Sequence, residues 1–343
     1  FRFVDYKTAN DVEDVKANIK FPKEKPQHIL GDQNEGQKEL MNHCRLRLLN
    51  TKYKEKDDQK GCRLNKGAIE NDVEKGLLTE EVAQNLINYF NNEYYPRYRN
   101  AIDAAKYDGE NVKDDSYFSI QSDMIKIAAD LDWYKETCSD FGKTIDDNFV
   151  TNYNDIQKFK QMTENVASIY NSGGKEIIFA INVKLHEKMR QDLIKAGIKP
   201  EEIQIVNANT AKTSEKRNSI SKDYNDGKLK VIIGNYATMG EGLNFNYMTS
   251  DIHHMQPTWN YLQIEQGNGR GVRQGNPLDE VNTHYYLSKG SIDGFMNDKI
   301  RSKGDMVSKF MKGEISTWDD DVTMDADEML IALAENPEQA KKL

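Results

Sequence analysis

The chain has 343 residues, of which 37% are hydrophobic and 30% are charged, with a formal net charge of −9 at pH 7. These proportions are typical of a water-soluble globular protein, and no apolar run is long enough to cross a bilayer, which excludes the membrane-spanning class. Three widely spaced cysteines, Cys44, Cys62 and Cys138, exclude a disulfide framework and a Cys-x-x-Cys metal site. We therefore expect a reducing, cytoplasmic location and no bound structural metal.

The first part of the chain predicts a linker followed by helices. We interpret residues 1–32 as a linker from an upstream lobe, because Pro22 and Pro26 prevent a continuous helix before a short extended segment at 27–30. Residues 33–150 are predicted to be a mainly helical insertion region. Apolar residues recur there at three- and four-residue intervals in three stretches, at 34–51, 79–92 and 119–137.

From residue 155 the pattern changes to alternating strands and helices. Short apolar runs predict strands at 176–181, 203–208, 230–234, 250–255 and 283–287, and amphipathic stretches predict helices at 155–170, 185–196, 214–225 and 291–311. Repeated units of this length specify a parallel, doubly wound sheet that binds ligands at the carboxyl ends of its strands. We therefore predict an α/β fold for residues 151–312.

The acidic residues are concentrated at the end of the chain. Residues 313–340 contain nine carboxylates and no Lys, Arg or His, so we interpret residues 313–343 as an acidic tail. The negative net charge argues against DNA binding by bulk electrostatics, but the tail alone accounts for it. A neutral or locally basic groove that binds DNA elsewhere in the chain therefore remains an alternative.

A glycine loop follows the strand predicted at 230–234. The sequence Thr238-Met-Gly-Glu-Gly242 lacks bulky side chains at two positions, so backbone amides there can approach a phosphate or a nucleic-acid backbone. The loop therefore predicts an anion-binding or backbone-binding segment at the carboxyl end of a buried strand.

Three polar residues follow at helical spacing, namely Gln266, Arg270 and Arg273. Spacing of i, i+4 and i+7 places them on one face if the helix extends that far. Three glycines within the same stretch weaken that helix, so an extended or frayed turn is an equal alternative. A planar guanidinium donates two parallel hydrogen bonds to phosphate oxygens, which makes phosphoryl chemistry the functional interpretation.

These motifs resemble, in type and order, the last motifs of superfamily-2 helicases of the Swi/Snf type. The matching residues are Gly240-Glu241-Gly242-Leu243-Asn244, then Trp259-Asn260, then Gln266 through Gly275-Asn276, with Asn276 standing where glutamine is usual. The resemblance implies a RecA-like parallel sheet flanked by helices, preceded here by the mainly helical region. It also implies the C-terminal lobe of an ATP-dependent DNA helicase or translocase.

The resemblance assigns roles to individual residues. It implies that Arg270 and Arg273 are fingers that reach the γ-phosphate of ATP, with Gln266 positioning them. It places Gly240, Glu241 and Gly242 near the nucleotide. DNA contacts are implied for a further set of residues, which are Asn182, Thr210, Thr238, Asn244 and Trp259.

Short blocks elsewhere resemble a narrower group, the large methylase-helicase proteins of phages and plasmids that act as antirestriction or DNA-processing factors. The blocks include His253-His254 and Ile292-Asp293-Gly294-Phe295. Because neighbouring strand residues point to opposite faces, we predict that the two histidines line the sheet and do not form a metal site.

The nucleotide-holding motifs of such an ATPase are not found in the sequence. The one Gly-Lys-Thr, at 142–144, lacks the upstream glycine and a preceding strand. We therefore expect ATP and Mg²⁺ to be held mainly by an upstream RecA-like lobe of the same polypeptide, double-stranded DNA to be the partner, and the chain alone to be inactive. The alternative is a non-catalytic docking or regulatory module built on a degenerate helicase lobe.

Overall fold

The structure is a computed structural model, and it describes residues 21–57, 61–108, 114–142, 155–239 and 243–311 together with residue 314. Within these residues the chain divides into two compact units. The sheet unit comprises described residues 21–32, 157–289 and 296–311, and the helical unit comprises described residues between 33 and 156 together with 290–295. No helix in the described ranges is long and apolar enough to cross a membrane.

The regular elements follow in chain order. The strands are β1 (Lys23–Gly31), β2 (Lys54–Asp57), β3 (Gly61–Leu64), β4 (Lys175–Phe179), β5 (Ile203–Val206), β6 (Val231–Gly234), β7 (Thr249–His254) and β8 (Glu280–Ser288). The helices are α1 (Glu35–Tyr53), α2 (Lys66–Glu74), α3 (Glu80–Tyr89), α4 (Tyr95–Asp108), α5 (Tyr117–Ala129), α6 (Leu131–Thr137), α7 (Gln157–Asn171), α8 (Val183–Lys195), α9 (Ser214–Asn225), α10 (Tyr236–Met239), α11 (Tyr261–Asn268) and α12 (Ile292–Met311). A π-helical turn, Phe90–Tyr94, joins α3 to α4.

The sheet unit is built on a six-stranded sheet in the order β1-β8-β7-β4-β6-β5, and all the pairings are parallel. One face carries the main apolar core, to which α9, α10, α11 and α12 contribute buried side chains. Helix α7 packs on β1, β8 and β4, and α8 packs on β5 and β6. This is a RecA-like α/β fold preceded by a mainly helical region, as the sequence predicted.

The edge strand β1 lies where the sequence predicted a linker. All nine of its residues pair with β8, which lies more than 250 positions further along the chain. Pro26 is compatible with this position because an edge strand has one side on which its backbone N–H groups are not needed for pairing. Local sequence contains no sign of such a distant partner. The domain boundaries proposed from the sequence stay predictions, and most of the acidic tail lies outside the described residues.

The two adjacent histidines of β7 lie on opposite faces of the sheet, and both are buried. His253 contacts Glu176 through its Nε2 atom at 2.9 Å and the hydroxyl of Tyr286 through its Nδ1 atom at 3.0 Å. His254 lies on the other face, where its ring stacks between those of Phe179 and Tyr285. The predicted sheet-lining role is therefore confirmed for both residues.

His254 is expected to make stability depend on pH. Its Nδ1 accepts from the Tyr236 hydroxyl at 2.6 Å and its Nε2 faces the Asn268 Oδ1 atom at 2.8 Å, an arrangement that suits the neutral ring. Burial lowers its pKa from 6.5 to about 4, against the opposing effect of the Asn268 hydrogen bond. Since the unfolded chain then binds the proton more readily, stability is fully present above pH 6.5 and is lost as the pH falls towards 4.

The loss should reach about 3 kcal/mol of unfolding free energy at the acidic end. Hydrogen exchange of the β7 amides, corrected for intrinsic rates and followed across this pH range, measures it. The His254→Gln variant should give a flatter profile than the unmodified chain. Equal slopes in the two proteins would contradict the assignment of the effect to this ring.

The helical unit encloses a buried ionic cluster. Arg47 donates to both carboxylate oxygens of Asp115, at 2.9 and 3.0 Å, and to Asp123 at 2.8 Å. It also donates to the hydroxyl of Ser139 at 2.7 Å. The three charged side chains are essentially inaccessible to solvent. The cluster therefore links the first helix of this unit to the segments before α5, within α5 and after α6.

One helix predicted at 119–137 is two helices in the structure, α5 and α6. The break is at Asp130, whose backbone is extended with φ of −165°, and whose carboxylate accepts from the Trp133 amide at 2.6 Å. Aspartate is a favoured N-cap because it satisfies an amide that the new helix leaves unpaired. The apolar period continues across the break, so periodicity alone did not show it.

Candidate functional site

The carboxyl ends of the strands position four of the residues predicted to contact DNA. Asn182 follows β4, Thr210 follows β5, Thr238 follows β6 and Trp259 follows β7. Because all these strands are parallel, the four residues lie at the same edge of the sheet. Their place in the fold agrees with the expectation from sequence, and their contacts with DNA stay predictions.

Two of these side chains also organise the local backbone. The Asn182 side-chain oxygen accepts from the Lys184 amide at 3.1 Å and so caps α8. The Thr210 hydroxyl donates to the Ile205 carbonyl at 2.9 Å and accepts from the Asn207 amide at 3.1 Å, which holds the turn after β5. The Asn182 amide nitrogen is buried and has no hydrogen-bond partner among the described residues. The Asn182 amide nitrogen can therefore still donate a hydrogen bond at this edge. The Thr210 hydroxyl, in contrast, already donates and accepts hydrogen bonds within the turn after β5.

The segment 243–248 returns the chain from the carboxyl edge to the start of β7. The predicted loop residues Gly240, Glu241 and Gly242, which precede this segment, lie outside the described residues. The carbonyl of Asn244 accepts from the Ser221 hydroxyl at 2.5 Å and the Asn225 amide at 2.7 Å, which anchors the segment to α9. The Asn244 side chain is exposed. Asn244 therefore lies in a segment that is anchored to α9 and leads into β7.

The two arginines lie beyond the end of α11, in a tight turn. The helix contains Gln266, which is exposed, and it ends at Asn268. The amides of Arg270 and Arg273 donate to the carbonyls of Gly267 at 3.1 Å and Gly271 at 2.9 Å. The frayed-turn alternative is therefore confirmed, and a single helical face carrying all three polar residues is not formed. The glycines are the physical reason, because they destabilise a continued helix.

Residues 269–276, which we call the arginine turn, place the two guanidinium groups in different environments. Arg270 is buried, and its guanidinium donates to the carbonyl of Leu243, the first described residue after the glycine loop. Burial lowers the pKa of Arg270, and the charge of Arg273 lowers it further. Arg273 itself is exposed. One arginine therefore holds the exit of the glycine loop, and the other is accessible to a ligand.

Asn276 fixes the arginine turn to the sheet, a role that the sequence did not reveal. Its buried side-chain amide donates to the carbonyls of Thr249 at 2.8 Å and Gly271 at 3.0 Å. Its oxygen accepts from the Leu278 amide at 3.2 Å. Thr249 is the first residue of β7, so the turn lies at the amino end of that strand. The sequence offered one sign of this role, which is that Asn276 stands where the resembling family usually has the longer glutamine.

Replacing Asn276 by alanine should destabilise the sheet unit by about 1–3 kcal/mol, because two buried carbonyls lose their donor. Differential scanning calorimetry should show a lower unfolding temperature. The Asn276→Asp variant, which keeps the shape and loses the donor, should behave in the same way. Asn209→Ala, at an exposed asparagine, is the matched control. An Asn276→Ala protein as stable as this control would contradict the pinning role.

The predicted site residues therefore form two groups. Asn182, Thr210, Thr238 and Trp259 lie at the carboxyl edge, whereas Arg270 and Arg273 lie at the amino end of β7. The segment 240–248 connects the two groups along the chain, and the Arg270 contact with Leu243 ties the second group to that segment. The geometry thus separates a candidate DNA edge from a candidate phosphate-binding turn.

The donor set of the arginine turn suits a phosphate group. Guanidinium groups supply charged, bidentate donors, and one of the two is exposed. Within the described ranges, no group of three or more His, Cys, Asp or Glu side chains is arranged to hold a metal ion. The described residues therefore fit contact with a nucleotide phosphate and do not by themselves form a Mg²⁺ site.

Comparisons with known proteins show similarity over part of the chain. The helicase conserved C-terminal domain family matches residues 157–275. Defense against restriction protein B of Escherichia phage P1 is 32% identical over 111 residues, which are 32% of this chain and 5% of that protein. The chain thus spans a small fraction of that relative's length.

Two solved structures are also similar. The C-terminal part of the Fun30 ATPase domain gives a TM-score of 0.46 at 15% identity and covers 86% of this chain and 99% of that one. Dbp5 of S. cerevisiae, bound to RNA and ADP BeF3, gives a TM-score of 0.35 at 19% identity and covers 46% of this chain and 41% of that one.

The resemblance drawn from the motifs is therefore confirmed at the level of the family. The matched segment begins with α7 and ends within the arginine turn, so it includes four of the six strands of the sheet, namely β4, β5, β6 and β7. Residues 157–275 match the helicase conserved C-terminal domain family, and this match supports the resemblance to the C-terminal lobe of a superfamily-2 helicase.

Proposed function

We propose that this chain is the finger-bearing lobe of an ATP-dependent DNA helicase or translocase, acting with an upstream lobe of the same polypeptide that holds ATP and Mg²⁺. The observation that carries the proposal is the arginine turn, in which one buried arginine binds the exit of the glycine loop and one exposed arginine is accessible. Bound ATP supplies a γ-phosphoryl group for transfer to water.

In this proposal Arg273 contacts the oxygens of the transferred phosphoryl group, because its guanidinium is exposed and charged. Arg270 contributes positive charge beside it and keeps the turn attached to Leu243. Gln266, exposed in the last turn of α11, helps to orient the arginines at the nucleotide. Gly240, Glu241 and Gly242 contact the nucleotide in this proposal.

The path from the arginine turn to the carboxyl edge is the proposed route of coupling. In this proposal a change at Arg270 acts on Leu243, and the chain between Leu243 and Thr238 transmits it to the carboxyl edge. Asn182, Thr210, Asn244 and Trp259 contact the backbone of double-stranded DNA in this proposal. Closure of the two lobes on ATP, and opening after hydrolysis, moves the DNA past this edge.

A cytoplasmic location is part of the proposal. The described residues Cys44, Cys62 and Cys138 are not disulfide-bonded, which fits a reducing compartment. The phage relative is named for defense against restriction, so a role in protecting phage or mobile-element DNA is the biological context that we propose.

The proposal is tested by ATP hydrolysis with and without duplex DNA, measured for the chain alone and for the complete polypeptide that includes the nucleotide-holding lobe. We expect negligible turnover for the chain alone and DNA-stimulated turnover for the complete protein. Turnover by the chain alone would show that it contains a complete site. No turnover in the complete protein would favour the alternative, a non-catalytic docking or regulatory module.

A further inference from the structure

A cavity of about 300 Å³ lies within the sheet unit, between the β1, β8 and β7 side of the sheet and the helices α11 and α12. None of the residues predicted to contact DNA or nucleotide is among its lining residues. Ligand pockets in proteins begin at about this volume, so the cavity is large enough for one side chain or a small molecule. No role in the proposed helicase cycle requires it.

Negative charge predominates in the lining of this cavity, which we call the acidic cavity. Its charged residues are three carboxylates, Glu24, Glu265 and Asp305, and one guanidinium, that of Arg301. Burial is the largest cause of the raised pKa of the Tyr261 hydroxyl, and the charges of all three carboxylates raise it further. The three carboxylates are therefore close enough to affect one hydroxyl group. The acidic cavity therefore favours a cationic occupant.

Aromatic rings provide much of the remaining lining. Tyr261, Tyr285, His254 and His28 all line the cavity. The rings of His28, Tyr285 and His254 stack across the three strands, with centroid separations of 5.3 and 4.7 Å. Burial, and then the charge of Arg301, lower the pKa of His28, which favours the uncharged ring. Aromatic rings beside carboxylates form a favourable environment for an organic cation.

Gln256 adds an unused hydrogen-bond donor to the same cavity. Its side chain is among the cavity-lining residues, and the residue is only 2% exposed. Its oxygen accepts from the Ile181 amide at 2.7 Å, and its amide nitrogen is buried without a hydrogen-bond partner among the described residues. An unpaired buried donor is costly, so this nitrogen suits an acceptor such as a carbonyl oxygen of a ligand.

Exposed apolar side chains lie next to the cavity in the sequence. Leu262, beside the lining residue Tyr261, is 60% exposed, and Met306, beside the lining residue Asp305, is 48% exposed. These two side chains lie on α11 and α12, the two helices that line the cavity, and exposed apolar side chains there are available to a bound polypeptide. The surroundings therefore favour a side chain presented by a polypeptide over an isolated small cation.

We propose that the acidic cavity binds an arginine side chain of a partner polypeptide. The guanidinium lies among the three carboxylates and against the aromatic rings, where its planar, multiply donating form is better suited than an ammonium group. A main-chain carbonyl of the same segment accepts from the Gln256 amide nitrogen. Apolar neighbours of the arginine contact Leu262 and Met306. This inference does not depend on the proposed helicase function.

The test uses N-acetyl-arginine-N-methylamide as the probe, with the uncharged isostere N-acetyl-citrulline-N-methylamide as its control. Binding to the 343-residue chain is followed by NMR chemical-shift titration. We expect the arginine probe to bind with a dissociation constant of about a millimolar, and the citrulline probe to bind at least about tenfold more weakly. N-propylguanidine, which has the same single positive charge and lacks the carbonyl groups, should also bind more weakly than the arginine probe.

Variants of the lining sharpen the test. The double variant Glu265→Gln and Asp305→Asn should weaken binding about five- to tenfold, because it removes two of the three attractive charges. Arg301→Met should strengthen binding about two- to fivefold, because it removes the one like charge. The second change is informative because damage to the fold cannot produce tighter binding. Glu201→Gln, at an exposed carboxylate that does not line the cavity, is the control.

Three outcomes would overturn the proposal. The first is equal binding of the arginine and citrulline probes, which would show that charge is not recognised. The second is binding that does not respond to the Glu265→Gln and Asp305→Asn changes while Arg301→Met also has no effect. The third is binding of N-propylguanidine as tight as that of the arginine probe, which would show that neither Gln256 nor a main-chain carbonyl of the ligand contributes to binding.

Discussion

Replacing Arg273 by alanine in the complete polypeptide should lower kcat for DNA-stimulated ATP hydrolysis by about a thousandfold or more. Arginine fingers contribute effects of this size because they stabilise charge that develops on the transferred phosphoryl group. Arg273 is exposed at the arginine turn, so its removal leaves the packing of the sheet unit in place. Steady-state kinetics with saturating DNA should show the loss in kcat, with a smaller change in KM for ATP.

The Arg273→Lys variant should recover only part of the lost activity, because an ammonium group keeps the charge and loses the bidentate geometry. Arg190→Ala, in α8, removes a surface arginine paired with Glu187 and should leave kcat unchanged. A thermal unfolding temperature equal to that of the unmodified protein establishes that Arg273→Ala is folded. Normal turnover in the folded Arg273→Ala protein would contradict its assignment as a finger.

Replacing Arg47 by methionine should destabilise the helical unit by about 3–5 kcal/mol. The change leaves two buried carboxylates, those of Asp115 and Asp123, without the cation to which both are hydrogen-bonded. Desolvated charges without a partner are among the largest single causes of destabilisation. Urea unfolding, with hydrogen exchange at the α1 and α5 amides to assign the transition to this unit, measures the loss.

Arg63→Met is the matched control, because Arg63 is an exposed arginine of the same unit that pairs with Glu55. Exposed pairs of this kind contribute little, so we expect a change below about 1 kcal/mol. Adding Asp115→Asn and Asp123→Asn to Arg47→Met should restore part of the stability, since the uncompensated charges are then removed. Equal effects of Arg47→Met and Arg63→Met would contradict the role of the buried cluster.

The parallel sheet was predictable from local sequence because its strands are short, apolar and separated by helices with clear caps. The helix predicted at 214–225 has the observed bounds, and Thr213 caps it through the Lys216 amide. The edge strand β1 was not predictable in the same way. Its partner β8 is distant in sequence, and its outer face is too polar to show a buried pattern.

The motifs of the candidate site could be predicted from the sequence, but the backbone conformation of the arginine segment could not. The order of the glycine loop, Trp259 and the two arginines identified the family, but spacing left the local shape of the arginine segment open. Tertiary hydrogen bonds decide that shape, through Asn276 to the start of β7 and Arg270 to Leu243. Neither bond has a local sequence signature, because each joins segments 27 residues apart.

The buried cluster around Arg47 illustrates the same limit. An arginine within an apolar helix period is usually interpreted as a long side chain that reaches solvent. Here two aspartates more than 60 positions later in the chain enclose it, and neither position is distinctive by composition. Charges paired over such distances become visible only when the packing of the helices is known.

Binding of a transition-state analogue tests most directly whether the arginine turn acts on the phosphoryl group during its transfer. The affinities of the complete protein for ADP with aluminium fluoride and for ADP alone are measured in the presence of DNA, with and without Arg273→Ala. We predict that the change weakens binding of the analogue at least about a hundredfold and leaves ADP binding nearly unchanged. Equal weakening of both ligands, or of neither, would contradict it.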